Sequence, residues 1–521
     1  MNLSAAGTVS LSVLRCRILA PYVPLRTKCS ESVPAADRSM EPLLIRLKAP
    51  CNYPTIAKSR RHAAVESIWK HNFELQEREP LPGNMEAETV VIGSGMAGIL
   101  IAYFLQKKGH QVIVVEADRI GSGQTQNTTA KITGQHGMCY EKLIRQAGRN
   151  RARSYARANI EAVRMYEKII REEGICCHFE ARNAYLYTMY EEGRKALQTE
   201  AEAATSLGID ACFLDAEEIT ELPFPIQGAV CFEHQAQFHP LEFIGALAND
   251  LQIYENTKVL SVKEHTVFTN RGSIRAENIV FATHYPIINL PGFYFLRQHQ
   301  ERSYVLALKD QKELSGMYYN IDDDVLSLRS VGSTLLLGGG AHRTGKDKNK
   351  GKDRKKEELG YAYLRRMART YYPKAEEVAF WSAQDCMPHD KIPFIGRYSA
   401  FRPYWYVATG FQKWGMTSSM IAAIIISNQI CGIPDPYEYV FTPQRFLLRA
   451  SVKNLLTDIG ESVCGLIKGL FSSKEHRCPH MGCRLEWNPE EQTWECPCHG
   501  SRFDSMGRLK DNPAQIDLSG K

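Results

Sequence analysis

Near the C-terminal end of the sequence, two short segments carry side chains that bind transition metals. The segments read CPHMGC and CPCHGS. They supply Cys478-x-His480 and, after a gap of 15 residues, Cys496-x-x-His499. Two thiolates and two imidazoles suit a tetrahedral zinc ion, and they also suit an iron–sulfur centre with mixed ligands. The sequence therefore predicts a metal site whose ligands come from two separate loops.

Two further cysteines, Cys483 and Cys498, lie next to the ligand pairs, and a zinc site does not need them. With them, the pattern resembles the cluster-binding subdomain of Rieske [2Fe–2S] proteins of the cytochrome bc type. The resemblance implies that Cys478, His480, Cys496 and His499 are the cluster ligands and that Cys483 and Cys498 form a disulfide. Neutral imidazoles in place of two thiolates raise the reduction potential of such a cluster.

The sequence departs from the Rieske pattern in two respects. Ser501 matches the serine that bonds a bridging sulfide, but Phe503 stands where a tyrosine is expected. Phenylalanine cannot donate a hydrogen bond to a cluster sulfur, so we expect a potential below that of the respiratory type. The segment before Cys478 is also too short for a full Rieske domain. We therefore expect the cluster subdomain to pack against the domain before it. The segment Asn512-Pro513-Ala514 resembles the proline loop that covers the cluster in Rieske proteins.

Length and composition describe a multidomain globular protein. The chain has 521 residues, with 44% hydrophobic and 23% charged residues, and a formal net charge of +6. A chain of this length exceeds one ordinary core. The net charge does not favour nucleic acid, and the basic run at 346–356 is typical of a solvated loop. No apolar run reaches the roughly 18 residues of a transmembrane helix.

The distribution of cysteines and the composition of the N-terminal residues bear on the cellular location of the protein. Of 15 cysteines, four belong to the cluster segments, and the other eleven are scattered as ordinary thiols. This pattern predicts a cytoplasmic protein in which the disulfide is a local exception. Met1–Ser30 has four basic residues and no acidic one, which a transit peptide could explain. We favour an upstream extension of the reading frame, with Met40 as the natural start.

A second chemical motif lies near residue 90. The apolar strand Glu88–Ile92 leads into the glycine loop Gly93–Gly98, which is followed by helical residues Ile99–Lys107. A second strand, Gln111–Val115, ends at Glu116. In such a βαβ unit the helix N-terminus binds a pyrophosphate and the acidic residue binds ribose hydroxyls. The motif predicts FAD or NAD and disfavours NADP, because the carboxylate would repel a 2′-phosphate.

Several later segments favour FAD. The loop GSGQTQNTTAK that ends at Lys131, together with ITGQHG, AQFHP, VFATHYP, LGGGAHRTG and ATGFQKWGMT, resembles motifs of glycine/D-amino-acid-oxidase-like FAD oxidoreductases. They match a subgroup of that family with a C-terminal Rieske domain. The motif and the resemblance together imply the following cofactor-binding residues: Gly93, Ser94, Gly95, Met96, Ala97, Gly98, Glu116, Gly123, Thr125, Thr128, Lys131, Val259, Ala282, Gly410, Lys413, Gly415 and Met416.

The expected architecture combines three parts. They are an α/β FAD-binding Rossmann-type domain, an antiparallel-sheet substrate domain (α+β) and a small all-β Rieske cluster-binding subdomain. The apolar stretch Met416–Cys431 predicts a buried helix whose N-terminus points at the flavin. Ser451–Leu470 predicts an amphipathic linker helix, which could also lie on a membrane surface. The predicted domains are 1–85 (extension and lead-in), 86–435 (oxidoreductase), 436–475 (helical linker) and 476–521 (Rieske).

Flavin and cluster on one chain imply an FAD-dependent oxidoreductase that passes electrons between the two groups. The resemblance suggests a dehydrogenase of an amine or amino-acid-like substrate, with a one-electron protein as partner. The alternatives are a reductase that relays electrons from a donor protein and a redox-sensing binding protein. Catalytic residues are not predicted; the histidines of the motif segments (His136, His239, His284, His342) are more often structural than catalytic.

Overall fold

The computed structural model describes residues 65–71, 73–323, 325–346, 360–445, 460, 466–467, 469, 472 and 476–518. The predicted N-terminal extension, nearly all of the basic run and most of the predicted linker helix lie outside these residues. Within them, no helix has both the length and the apolar character needed to cross a membrane.

The α-helices within the described ranges surround two large sheets. In chain order they are α1 (Met96–Lys107), α2 (Tyr140–Ala147), α3 (Arg149–Glu172), α4 (Glu191–Ser206), α5 (Pro240–Ala248), α6 (Gly360–Tyr371), α7 (Gly415–Ile430) and α8 (Glu438–Phe441).

The strands of the same ranges form three sheets. In chain order they are β1 (Met85–Ile92), β2 (Val112–Val115), β3 (Lys131–Ile132), β4 (Glu180–Thr188), β5 (Ala211–Leu214), β6 (Gly228–Gln237), β7 (Gln252–Tyr254), β8 (Val259–Lys263), β9 (Thr266–Thr269), β10 (Ser273–Phe281), β11 (Gln298–Lys309), β12 (Gly316–Asn320), β13 (Leu326–Val331), β14 (Thr334–Arg343), β15 (Glu376–Pro388), β16 (Phe394–Ser399), β17 (Arg402–Thr409), β18 (Glu486–Asn488), β19 (Thr493–Glu495), β20 (Arg502–Asp504) and β21 (Leu509–Asp511).

The first sheet is the expected dinucleotide-binding sheet. Its order is β16-β17-β10-β1-β2-β7, and the neighbours from β17 to β7 run parallel. Both faces are covered, because consecutive residues of β1 enter different cores. Val91 packs in the cluster that includes α1 and α7, whereas Val90 packs in the cluster that includes the β8–β9 hairpin. Burial on both faces explains the continuous apolar run that marks β1 in the sequence.

The second sheet is the expected substrate-side sheet. Its order is β15-β11-β14-β13-β12-β4-β6-β3, with β5 paired to β6. It is antiparallel except for the parallel pair β12–β4. The apolar runs at 304–309, 325–329 and 334–337 also predict strands, and they overlap β11, β13 and β14. The α/β and antiparallel-sheet parts of the predicted fold class are therefore confirmed.

The third sheet is the small β18-β19-β20-β21 meander, in which each strand has three residues. Its core consists largely of cysteine sulfur, with Leu485 and Phe503 among the few larger apolar side chains. A core of this size is too small to hold a domain together without help. The subdomain obtains that help from contacts with the two large sheets.

Candidate functional site

The two metal-binding loops share one hydrogen-bond pattern. In each loop the N–H of the first cysteine donates to the carbonyl five residues later, from Cys478 to Cys483 at 2.8 Å and from Cys496 to Ser501 at 2.9 Å. In each loop a glycine also donates back to that cysteine. These glycines have φ values of +84° and +87°, which glycine adopts without strain. The loops are therefore matching turns that present their side chains to one point.

The predicted ligands converge between the loops. The rings of His480 and His499 are 5.0 Å apart and perpendicular. The thiols of Cys478 and Cys496 interact directly, and all four cysteines of the two loops are buried. Hydrogen bonds from the neighbouring thiols, that of Cys478 first, hold the pKa of Cys496 well below its usual range. A thiolate surrounded by further thiols is a donor set that binds soft metal ions.

The imidazole of His480 fits a metal ligand in both orientation and charge. Its Nε2 lies 2.9 Å from Asn289 Oδ1, whereas its buried Nδ1 has no hydrogen-bond partner among the described residues. Burial lowers the pKa of His480 to about 4, so the ring is neutral at pH 7. A neutral ring with one nitrogen bonded outward and the other directed inward is the form that binds metals.

The predicted disulfide is not shown. The sulfur atoms of Cys483, Cys496 and Cys498 lie within 4.8 Å of one another, and no disulfide joins them in the described part of the chain. Ser501 is fully buried, and its hydroxyl accepts from the N–H of Ala514 at 3.0 Å. Phe503 is buried in β20. The expectation of a lowered potential that rests on Phe503 stays a prediction.

A buried ion network joins the cluster subdomain to the substrate-side sheet. Arg302 of β11 contacts Glu491 at 2.6 Å, and Arg502 of β20 contacts the same carboxylate at 3.0 Å. Arg502 also contacts Asp511 at 2.6 Å. Each of these side chains is at most 17% exposed. In addition, Glu490 accepts from the first N–H groups of α6, so it caps that helix from the other subdomain.

A chain of glutamine side chains links a cluster loop to the second glycine-rich loop. Gln300 donates to the carbonyl of His499 at 2.7 Å. Gln384 donates to Gln300 Oε1 and to the carbonyl of Gly500, both at 2.6 Å. The backbone N–H of Gln384 then donates to Gln124 Oε1 at 2.7 Å. The end of the subdomain that carries His499 therefore faces the predicted flavin region.

In the glycine loop Gly93–Gly98, the backbone approaches neighbouring carbonyl groups so closely that a side chain would collide with them. Gly93 has φ +104°, and a Cβ at this position would lie 2.6 Å from the carbonyl oxygen of Ala282. A Cβ at Gly98 would lie 1.9 Å from the carbonyl oxygen of Gly93. Thr125 Oγ1 accepts from the N–H of Met96 at 2.9 Å, at the start of α1. The predicted residues of the first and second loops are thus brought together.

Glu116 lies at the end of β2, beside the glycine loop. Its carboxylate accepts from the N–H and the hydroxyl of Ser94 at 2.8 and 2.9 Å and from the N–H of Asp118 at 3.1 Å. Burial raises the pKa of Glu116, and the Ser94 hydrogen bonds oppose that effect. Val259 is buried in β8, on the face of the sheet opposite α1. The geometry is compatible with a ribose site at Glu116.

The second glycine-rich loop is held in place by side chains that were not predicted from the sequence. Trp69 Nε1 donates to the carbonyl of Thr128 at 2.7 Å, and Trp381 Nε1 donates to that of Asn127 at 2.9 Å. Arg329, which is fully buried, donates to the carbonyls of Thr129 and Ala130. Nothing in the local sequence connects these distant residues. The one usable signal was a tryptophan in the polar segment before β1.

Lys131 and Lys413 both contact residues of the substrate-side sheet. Lys131 donates to the carbonyl of Tyr318 and to Ser327, and burial together with the charge of Arg329 lowers its pKa to about 7. Lys413 Nζ lies 2.8 Å from Ser303 Oγ, and it also contacts two carboxylates, those of Asp385 at 3.1 Å and Glu301 at 3.3 Å. Burial alone would lower the pKa of Lys413, but the two carboxylates raise it above its usual value.

A cavity of about 190 Å³ lies at the start of α7, where Gly410, Gly415 and Met416 mark the predicted flavin turn. Lys413, Trp414 and His136 are among the residues that line it. Trp414 stacks on His136 at 5.0 Å, and His136 bonds Tyr155 at 2.7 Å. Burial lowers the pKa of His136 to about 3, which makes this histidine a neutral structural group. The other three motif histidines also contact protein side chains: His239 contacts Trp69, His284 contacts Cys386 and His342 contacts Tyr304.

Comparisons with known proteins agree with this arrangement. Residues 88–429 match the FAD dependent oxidoreductase family, and residues 458–519 match the Rieske [2Fe-2S] domain. The Rieske 2Fe-2S iron-sulfur protein YhfW of Bacillus subtilis is 35% identical over 511 residues, which cover 87% of this chain and 98% of that protein.

Solved structures show the same fold for the larger part. Glycine oxidase from Geobacillus kaustophilus has a TM-score of 0.59 at 18% identity, over 69% of this chain and 99% of its own. L-proline dehydrogenase from P. horikoshii has a TM-score of 0.58 at 21% identity, over 70% of this chain and 98% of its own. The chain belongs to the FAD dependent oxidoreductase family and carries a C-terminal Rieske domain, so its cofactors are FAD and a [2Fe–2S] cluster.

Proposed function

We propose that the chain is a dehydrogenase in which electrons pass between FAD and the cluster inside one molecule. The observation that carries the proposal is the glutamine chain from the carbonyl of His499 through Gln300 and Gln384 to Gln124. It connects the backbone of a predicted cluster ligand to the predicted flavin loop through three hydrogen bonds and two intervening glutamine residues. When bound, FAD accepts two electrons as a hydride, and the cluster carries one electron at a time.

The proposed roles of the residues follow the two predicted sites. Cys478, His480, Cys496 and His499 hold the cluster. The N–H groups at the start of α1 bind the pyrophosphate, Glu116 binds the ribose, and the N-terminus of α7 faces the flavin ring. Gly93 and Gly98 allow the close backbone contacts that this arrangement needs, since a side chain at either position would collide with a carbonyl.

Rigid docking supports transfer within the molecule. The ion network around Glu491 is buried, and removal of one partner would leave uncompensated charge. The cap that Glu490 places on α6 and the bond from Gly345 N–H to Glu495 at 3.0 Å add further points of attachment. Fixed geometry favours repeated transfer between the same two groups without a new encounter for each electron.

A cavity with an ion cluster beside it supports a small-molecule substrate. Glu301 and Asp385 are direct cross-strand neighbours in β11 and β15, and Lys413 lies between them. Burial alone would raise the pKa of Glu301, but the charge of Lys413, a hydrogen bond with His299 and the charge of Lys391 together lower it, so this carboxyl is ionised at pH 7. Lys142, Lys391 and Lys413 line the cavity itself, so this ion cluster does not by itself select an amine, and both amines and amino acids belong in a substrate screen. A sensor that only binds a partner has no need of such a cavity.

The decisive experiment is anaerobic stopped-flow reduction of protein whose FAD, iron, zinc and sulfide have been quantified. Amines and amino acids are screened for bleaching of the flavin, and the EPR signal of the reduced cluster is followed after each mixing. We expect the cluster to be reduced at a rate that does not change with protein concentration. Gln384→Leu should slow this phase, whereas the remote, surface-directed Gln106→Leu should not.

Three results would count against the proposal. A cluster phase whose rate rises in proportion to protein concentration would indicate transfer between molecules. Zinc in place of iron would rule out electron transfer between FAD and this site, because zinc has no redox chemistry. Flavin reduction by a reduced carrier protein, without bleaching by any amine, would favour the reverse direction, a reductase fed by a donor protein.

A further inference from the structure

The distal nitrogen of His480 is bound by a residue outside the cluster subdomain. Its Nε2 lies 2.9 Å from the side-chain oxygen of Asn289, 191 positions earlier in the chain. The Nδ1 of the same ring is buried and has no hydrogen-bond partner among the described residues. When Nδ1 binds iron, Nε2 carries the proton, and this N–H donates a hydrogen bond to the Asn289 oxygen.

Asn289 is itself held in place. It lies in the segment between β10 and β11, where its carbonyl accepts from the N–H of Phe293 at 2.9 Å. The hydroxyl of Tyr398 donates to the carbonyl of the preceding residue, Ile288. Farther along the same segment, Phe295 packs edge-on against His499, with ring centres 5.9 Å apart. The segment between β10 and β11 therefore contacts both histidines that are predicted to bind the cluster.

We propose that Asn289 is a positioning residue for the cluster, which orients His480 through Nε2 and thereby sets the reduction potential. An acceptor on the distal nitrogen fixes the ring and makes the coordinating nitrogen more basic. A more basic ligand stabilises the oxidised cluster and lowers its potential. This role is independent of the direction of electron flow and of the substrate, because it concerns the cluster at equilibrium.

The test is an EPR-monitored redox titration of the holoprotein at one neutral pH. Asn289→Leu keeps the volume and removes the acceptor, so the potential should rise. At a fixed applied potential we expect the oxidised-to-reduced ratio to fall about tenfold, which corresponds to about 59 mV for a one-electron couple. Asn289→Asp offers a stronger acceptor and a negative charge, so the potential should fall. The exposed Asn249→Ala, at the end of α5, is the control.

Pulsed EPR supplies a second readout that a change in stability alone would not move. The nitrogen couplings of the histidine ligands should change in Asn289→Leu and stay as in the original protein in Asn249→Ala. The proposal is overturned if Asn289→Leu leaves both the potential and these couplings unchanged, or if both Asn289 variants shift the potential in the same direction. Should the leucine variant fail to bind the cluster, the aspartate variant still decides by the sign of its shift.

Discussion

The guanidinium of Arg302 lies 2.6 Å from the carboxylate of Glu491, with the two side chains 2% and 10% exposed. One belongs to the long strand β11 of the substrate-side sheet and the other to the turn between β18 and β19. This ion pair therefore crosses the boundary between the oxidoreductase part and the Rieske part. Burial makes it costly to leave either partner without the other.

Glu491→Gln should loosen the cluster subdomain. Arg302 and Arg502 would lose their shared carboxylate, and we expect a loss of about 3–5 kcal/mol in unfolding free energy, the range for a broken buried pair. Thermal unfolding and iron retention during dialysis measure the effect. The matched control is Glu167→Gln, which removes an exposed pair with Arg171 on α3 and should change stability by about 0.5 kcal/mol or less. Equal losses in both variants would contradict the proposed role of the buried pair.

The same carboxylate predicts a pH dependence. Burial alone would raise the pKa of Glu491, but the charges of Arg302 and Arg502 outweigh it and lower the pKa to about 2. A lowered pKa in the folded state means that the stabilisation is present above the unfolded value and is lost on acidification. Stability should therefore fall between about pH 5 and pH 2. The fall should be smaller in Glu491→Gln, as denaturant unfolding at several pH values would show.

The sequence was a good guide wherever a short local pattern determines the structure. The apolar run before Gly93 and the glycine spacing placed β1 and α1, because a buried parallel strand and a close helix–strand turn each restrict the residues they accept. The metal-binding loops are equally local, since each closes on itself between residues five positions apart. Boundaries shifted by only a few residues, as with α7 at Gly415–Ile430 against the expected Met416–Cys431.

Contacts between distant segments could not be predicted in this way. Asn289 and Gln384 are polar residues with no local signature, and their partners in the two cluster loops lie 191 and 116 positions away. Arg329 and Trp381 reach the second glycine-rich loop from strands β13 and β15. Such contacts depend on how the sheets are packed, which a single sequence does not encode in any one window. The packing of the cluster subdomain against the preceding domain was expected, but the residues that make the contact were not.

Gly93→Ala should abolish retention of FAD. The added Cβ would lie 2.6 Å from the Ala282 carbonyl, in a backbone conformation that alanine rarely adopts. FAD bound after gel filtration gives the measurement. Gly109→Ala is the control, because its φ of +84° brings similar strain but no atom of the described residues lies within 4 Å of the new Cβ. Retention of FAD in Gly93→Ala would remove the glycine loop from the proposed flavin site.

Lys413→Met should leave two carboxylates facing each other without a cation. Like charges on directly opposed residues repel, so the pKa of Glu301 should rise and one carboxyl should take up a proton near neutral pH. Infrared difference spectra would show the protonated carboxyl. Substrate bleaching of the flavin should slow by roughly 100-fold, as expected when catalytic geometry is disturbed. The exposed Lys168→Met on α3 should leave both measurements unchanged, and an unaltered infrared spectrum in Lys413→Met would argue against the charge cluster.

Cys483→Ser should make the cluster labile in air. Cys483 and Cys498 come from the two different loops, and the sulfur atoms of both lie within 4.8 Å of Cys496. A bond between them would hold the loops together when the cluster is oxidised, and serine cannot form it. Decay of the cluster absorbance gives its lifetime, and mass spectrometry of alkylated protein reports whether Cys483 and Cys498 are joined. Cys176→Ser, which replaces an exposed free cysteine, should leave the lifetime unchanged. If Cys483→Ser matches that control and both thiols of the original protein alkylate freely, the loops are held by their backbone hydrogen bonds and by the docking contacts instead.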